Sequence, residues 1–456
     1  MAGSAAEGRV AISREHLLEW GHINCWSGGD TMASRRFSKG ITSLVLFSSL
    51  ASPSFAGGLE RGGYNIDLLF DNSRFAVQSG ATYVMPQRKL KNVKDTDPTD
   101  GLGTNGIGGG STTADDTEDY WVPYLGVKVG LGDSIDCMGD FSTPFGAHTN
   151  PGADWLGVND NIETKISTRN YGATCSYRFD MGPGQLRLIG GGFYQTVEGF
   201  KTRLVAPITT MPAALIYDGT GRLDLADQAM GWRAGIAYEI EEYAFRASLV
   251  YNSKVKYDDL TGTVDLTEVP KAANPKNPYL GVVTPVYGEA EAPDSVELKL
   301  QSGIAPDWLA FGSVKWTNWS VLQSIAFCPK ATKGVVACSA SSQLTSLDLF
   351  YRDGWTVSGG VGHKFNDQWS GALSLTWDRG TSQGYGAQTD TWTLGAGVAY
   401  TPVENVEWRL AGALGIMTGG DSGTYVYNGR TYGNDVSYSF GDDLVAALST
   451  SVKVKF

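Results

Sequence analysis

The last fourteen residues, Asp443 to Phe456, alternate between two kinds of side chain. Leu444, Ala446, Leu448, Val452, Val454 and Phe456 fall on one side, and Ala447, Ser449, Ser451, Lys453 and Lys455 fall on the other. Side chains of a strand point alternately to opposite faces, so this pattern predicts a strand with one apolar and one polar face. The pattern recurs upstream. Trp369, Leu373, Leu375 and Trp377 oppose Ser370, Ser374, Thr376 and Asp378. Trp392, Leu394, Val398 and Tyr400 oppose Thr391, Thr393, Gly395 and Gly397, and Val406, Trp408, Leu410, Leu414 and Ile416 oppose Glu407 and Arg409. About fourteen such segments can be counted, and aromatic residues recur at their ends. An even number of two-faced strands with aromatic ends predicts an all-β chain, an antiparallel transmembrane β-barrel with lipid outside and a polar lumen.

The connections support the same reading. Tight turns fall at Gly132–Ser134, Gly182–Gly184, Glu241–Glu242, Ala305–Asp307, Phe365–Asp367 and Pro402–Asn405. Longer loops fall near 91–118, 148–161, 204–226, 260–292, 322–346, 379–388 and 418–442. Membrane barrels alternate in this way because one rim carries short periplasmic turns and the other longer outer loops. No apolar run reaches the roughly 18 residues of a membrane helix. A net charge of −12 argues against nucleic acid as a partner.

Residues 32–56 order a basic stretch (Arg35, Arg36, Lys39), an apolar stretch (Ile41–Leu50) and small residues at Ser54 and Ala56. That order predicts a secretory signal peptide cleaved after Ala56. The expected organisation is an upstream, non-structural extension over 1–31, the signal over 32–56, a short N-terminal segment over 57–73 and the barrel over 74–456. In an exported chain the four remaining cysteines favour disulfides. Cys328 pairs with Cys338 within one loop, and Cys137 with Cys175 on neighbouring strands. No metal or cofactor site is expected. Gly101–Gly106 matches a GxGxxG pattern, but it lacks the strand before it and the helix after it that a nucleotide site requires. Gly420-Asp421-Ser422-Gly423 has no histidine partner, so no catalytic set is expected.

In order along the chain, Ser79–Pro86, Phe141–Gly146, Ser295–Trp308, Val314–Trp319, Tyr351–Trp355 and the C-terminal strand resemble the FadL-type transporters of the bacterial outer membrane. The resemblance implies a fourteen-stranded barrel with an N-terminal plug, passive transport of long-chain fatty acids or similar hydrophobic molecules, and lateral release at a kinked third strand. The segment 57–73 is shorter than the family's plug and lacks its Asn-Pro-Ala motif.

Pro144, Phe145 and Gly146 lie where the third strand should be continuous. Proline cannot donate to a ladder, so the break marks either a lateral exit or the strand's outer end. The outer loops are rich in apolar residues, including Leu204, Ile208, Met211, Leu215, Ile216, Leu280 and Val283. They form either a capture groove for an acyl chain or a self-covered core. Arg178, Arg187, Lys315 and Arg409 fall on lumen-facing positions and are candidates to receive a carboxylate. The expected protein is a monomer in contact with outer-membrane lipid. A general polar porin and a structural or adhesive surface barrel remain the alternatives.

Overall fold

A computed structural model describes residues 57–97, 110–205 and 219–456. The upstream extension, the signal segment, the Gly101–Gly106 motif and Ile208, Met211, Leu215 and Ile216 lie outside the described residues. Among the described residues, fourteen antiparallel strands close into one ring. They are β1 (Phe75–Pro86), β2 (Tyr120–Leu131), β3 (Ile135–Ser142), β4 (Glu163–Met181), β5 (Gly184–Val205), β6 (Gly219–Ile240) and β7 (Phe245–Asn252). The ring continues with β8 (Ser295–Ala305), β9 (Trp308–Thr317), β10 (Gly354–Lys364), β11 (Trp369–Asp378), β12 (Thr391–Val403), β13 (Val406–Met417) and β14 (Asp443–Lys455). Each pairs with the next, and β14 pairs with β1 from Ala76↔Lys455 to Pro86↔Val445. A closed sheet leaves no open edge in lipid, where an unpaired backbone group has no partner.

The two faces are inverted relative to a soluble protein. Leu394, Leu414 and Leu448 are 61%, 70% and 55% exposed, whereas Ser374, Thr393, Glu407 and Arg409 are buried inside. On the outer face Trp369 stacks on Tyr400 near the short-turn rim, and Trp377 lies by Trp392 near the other. The eight residue steps from Trp369 to Trp377 span about 26 Å of strand, or roughly 20 Å along the membrane normal after tilt. The two aromatic pairs therefore bracket a band close to the apolar thickness of such barrels.

Strands β4, β5 and β6 exceed the roughly 9–11 residues needed to cross a bilayer, so they stand above the band at the long-loop end. The reading of 204–226 and 260–292 as loops is corrected in part. β5 and β6 stay paired up to Val205↔Gly219, Val255–Asp265 continues past β7, and Val283–Ala292 leads towards β8. These stretches lose the alternating signal because their inward side packs on apolar neighbours instead of water.

Candidate functional site: the broken third strand and its neighbours

The N-terminal segment lies within the ring. Asn65 Oδ1 accepts from the Asp67 amide at 2.9 Å and starts a short 3-10 turn, Asp67–Phe70. Ile66, Leu68, Leu69 and Phe70 pack on Met138, Ile189, Ala237 and Val250, apolar side chains set among polar inward positions of β3, β5, β6 and β7. Lys128 Nζ donates to the carbonyls of Asp71 and Ser73 at 2.8 and 2.6 Å, and Arg187 donates to that of Leu69 at 3.1 Å. Cations thus meet the carbonyls left unpaired where the turn ends. Ion pairs join the segment to opposite walls: Lys299–Asp67 at 3.1 Å, Lys453–Asp71 at 3.0 Å, and Lys315–Glu60. Burial opposes ionisation of Asp71, but Lys453, Lys455 and the bonds from Ser73 outweigh it and hold the carboxyl below its usual range.

Strand β3 ends at Ser142 and resumes as Gly146–Thr149. Its pairing with β4 passes from Ser142↔Asn170 to Gly146↔Ser167, so one extra residue is accommodated as a bulge. On the other side, the ladder with β2 stops at Leu125↔Phe141, and Tyr120–Tyr124 are paired with β1 alone. Pro123 sits on this one-sided stretch, the kind of place that tolerates proline. The missing partner of the break is supplied from inside. The Gly146 amide donates to the Leu59 carbonyl at 2.7 Å, Arg61 to Pro144 at 2.9 Å, Gly62 to Thr143 at 3.2 Å and Gly63 to Pro144 at 3.3 Å.

Two cavities flank this junction. One, of about 60 Å³, is apolar, with Leu59, Phe145, Ile166, Tyr257, Trp319 and Phe327 among its walls. Phe145, the last residue of the break, stands edge-on to both Tyr64 and Trp319, with ring centres 5.8 and 5.5 Å apart. The other, of about 140 Å³, lies between Gly62, Asn65, Ser142 and the one-sided stretch Val122–Tyr124, and reaches small polar side chains of β1 and β14. A third space of about 220 Å³ opens at the long-loop end, bordered by Asp116, Asp160, Asp348, Lys201, Tyr351 and Tyr438. Burial pushes Asp116 up to about 6, against the pull of Arg88.

The four cations singled out in the sequence all carry internal carboxylate partners. Arg187 bonds Asp136 and Glu239 at 2.9 and 3.0 Å, Arg178 lies 3.2 Å from Asp136 near the short-turn rim, Lys315 holds Glu60, and Arg409 holds Glu407. Of the loop residues, Leu280 is buried in an apolar cluster with Leu223, Val264 and Leu266, Val283 is exposed, and Leu204 is half-buried. Cys137 lies directly opposite Cys175 between β3 and β4 with the sulfurs bonded, and Cys328 is bonded to Cys338 in the connection between β9 and β10.

The profile of the outer membrane protein transport protein family (OMPP1/FadL/TodX) matches residues 68–372. The chain belongs to this family. The long-chain fatty acid transport protein of Escherichia coli (strain K12) is 23% identical over 338 residues, covering 68% of this chain and 70% of the relative. That of Salmonella typhi is 24% identical over 326 residues, covering 68% and 69%. A Pseudomonas aeruginosa FadL homologue superposes with a TM-score of 0.69 at 17% identity, over 88% of this chain and 96% of that one. The Ralstonia pickettii toluene transporter TbuX does so with a TM-score of 0.53 at 12% identity, over 85% and 91%. At such identities the likeness establishes a shared fold. Membership of the FadL family, together with the closed barrel, places the protein in the outer membrane as a channel for hydrophobic compounds.

A mostly apolar pocket inside the barrel is an expectation of the sequence, but the sequence does not name the residues that wall this chamber. Its signal was present: the inward positions of β4 and β5 change from polar (Asn170, Thr168; Gln195) to apolar (Ile166; Val197) towards the long-loop end.

Proposed function

We propose that this chain carries long-chain fatty acids or similar hydrophobic molecules passively across the outer membrane, from the outer loops to the apolar chamber and then sideways through the break in β3. One observation carries the reading. Leu59 and Phe145 both line the chamber, and the same two residues belong to the contact that completes the broken strand. A molecule filling the chamber therefore pushes on the parts that close the exit. The exit lies beside Val122–Tyr124, which lack a second strand neighbour. The N-terminal segment occupies the centre of the ring and speaks against a wide aqueous pore. Closure of the ring within one chain supports a channel that works as a monomer surrounded by lipid.

The test is uptake of labelled oleate by cells that lack their own long-chain fatty acid transporter. Expression of this chain is expected to restore uptake. Uptake no greater than with empty vector, from a correctly folded barrel, contradicts the proposal.

A further inference from the structure

The space of about 220 Å³ at the long-loop end, a vestibule beside the apolar chamber, is walled quite differently from it. Among the described residues its charged lining is Asp116, Asp160, Asp348 and Asp435, against the single cation Lys201. Its aromatic lining includes Trp155, Tyr351, Tyr385 and Tyr438. These residues converge from distant parts of the chain. Trp155 and Asp160 precede β4, Tyr351 precedes β10, and Tyr385 lies between β11 and β12. Tyr438 belongs to Val436–Phe440, which pairs with Lys89–Asp95 in a small sheet separate from the barrel.

Little positive charge stands against three of the carboxylates. Asp348 accepts from the hydroxyls of Ser324 and Ser346, which leaves its charge in place. Asp160 stands 3.8 Å from Lys201, a loose contact. Asp116 has no ion pair among the described residues, and its neighbour Arg88 is committed to Asp443 at 3.1 Å. The aromatic residues give a second, independent sign of a guest. Tyr351 is 2% exposed, and its hydroxyl, within electrostatic reach of Asp116, has no hydrogen-bond partner among the described residues. A polar group so nearly buried is rarely left without a partner. The Tyr385 hydroxyl is also without one there, and lies within reach of Asp160, Asp348 and Asp435. Trp155 is fixed by its Nε1 bond to the Asn161 carbonyl at 2.8 Å, with its ring 6.2 Å from that of Tyr438.

We infer that the vestibule binds the ammonium group of a long-chain amine, with Asp116 and the Tyr351 hydroxyl as its principal partners and the apolar chamber receiving the tail. An ammonium group offers three N–H donors to a lining rich in acceptors. Its charge is favoured by the surrounding carboxylates and by the electron-rich faces of aromatic rings. Leu59, Ile166, Leu347 and Leu349 line both the vestibule and the chamber, so the two spaces are continuous and one molecule can occupy both. The same charges disfavour a carboxylate at this place. The inference goes beyond the transport reading: it adds a cationic class of ligand and uses from that reading only the chamber as a seat for a tail.

The experiment measures equilibrium binding of labelled decylamine, decanol and decanoate, which share an apolar tail, to the full chain. The protein is held in nanodiscs of digalactosyl diacylglycerol, a lipid without amine or net charge, and binding to empty nanodiscs is subtracted. At pH 8, where the amine is protonated, decylamine is expected to bind about tenfold more tightly than decanol, and decanoate no more tightly than decanol. Butylammonium chloride should displace decylamine at concentrations where sodium chloride does not. Asp116→Asn and Tyr351→Phe should each reduce the preference, and together bring decylamine close to decanol. If the double variant loses its heat-modifiable gel mobility, displacement by butylammonium from the parent protein decides. Equal binding of amine and alcohol, equal displacement by sodium and butylammonium, or a preference that survives in the folded double variant overturns the inference. Oleate uptake by cells is read separately. Uptake without an amine preference removes this inference and leaves the transport reading standing, whereas an amine preference without uptake does the reverse.

Discussion

The backbone amide of Gly146 donates to the carbonyl of Leu59 at 2.7 Å. A residue of the barrel wall thus takes its strand partner from a segment inside the ring. Four backbone bonds of this kind join residues 59–63 to residues 143–146. At about 0.5–1.5 kcal/mol net each, they contribute a few kcal/mol together. Burying about five methylene groups of an acyl chain, at roughly 0.8 kcal/mol each, is of the same size. On the proposed lateral route, a contact of this size would stay shut when empty and give way to a bound chain.

Gly146 has no room for a side chain. An added Cβ would meet Arg61 Nε and the Ile166 carbonyl oxygen, both at 2.8 Å. Gly146→Val, with or without Pro144→Val, is expected to distort the junction and lower the oleate uptake rate by about tenfold, equivalent to roughly 1.4 kcal/mol. Binding of oleate at the outer loops should change far less. Time courses of uptake and equilibrium binding on the same cells separate the two effects.

Glu60 is the segment's charged tie to β9 through Lys315. Removing one partner of a buried pair strands the other, at a cost of about 3–5 kcal/mol, whereas removing both is often close to neutral. Glu60→Gln should loosen the segment and raise ion conductance in planar bilayers. The double variant Glu60→Gln/Lys315→Met should return conductance towards the parent level. Equal conductance in all three proteins would count against the tie.

Burial raises Asp116 from its ordinary value of 3.8 to about 6. Between these values the folded protein holds a proton that the unfolded chain has released. Its stabilising contribution is thus fully present below about 4 and is lost as pH rises through 6. In urea unfolding from vesicles, Asp116→Asn should be more resistant than the parent at pH 8, and the two should converge near pH 4. Parallel pH profiles would contradict the assignment.

How legible this was in the sequence depended on the environment of each residue. Leu444, Leu448 and Val452 face lipid while Lys453 faces the lumen, so strict alternation revealed β14 and the barrel. Pro144 was visible as a break because a covalent property of proline marks it. The partner of that break was not visible, because Leu59–Gly63 lie more than eighty residues earlier and act through backbone amides, which any sequence carries. The cations were legible as lumen-facing but not as already paired, since Asp136 and Glu239 reach Arg187 from other strands. The chamber's walls were hard to name because the two-faced pattern inverts there: Ile166 and Val197 are apolar inward, while their neighbours Lys165, Ser167, Thr196 and Glu198 on the other face are polar.

The lipid-facing assignment has its own test. Leu414 lies on the outward face of β13 and is 70% exposed. Leu414→Arg should destabilise the folded barrel by about 2–4 kcal/mol if the position sits near the bilayer midplane. Equilibrium unfolding from lipid vesicles reads the change, and a neutral effect would mean that this face does not meet lipid.

Lateral passage through the break in β3 is tested most directly by a photoreactive long-chain fatty acid. The probe is added to outer-membrane vesicles containing the protein and activated during transport, and the labelled peptides are mapped by mass spectrometry. Label is expected on the chamber residues Phe145 and Trp319 and on Val122–Tyr124 beside the break, with little on the periplasmic turns at 132–134 and 182–183. Label running through the lumen to those turns, with none at Val122–Tyr124, would contradict the account.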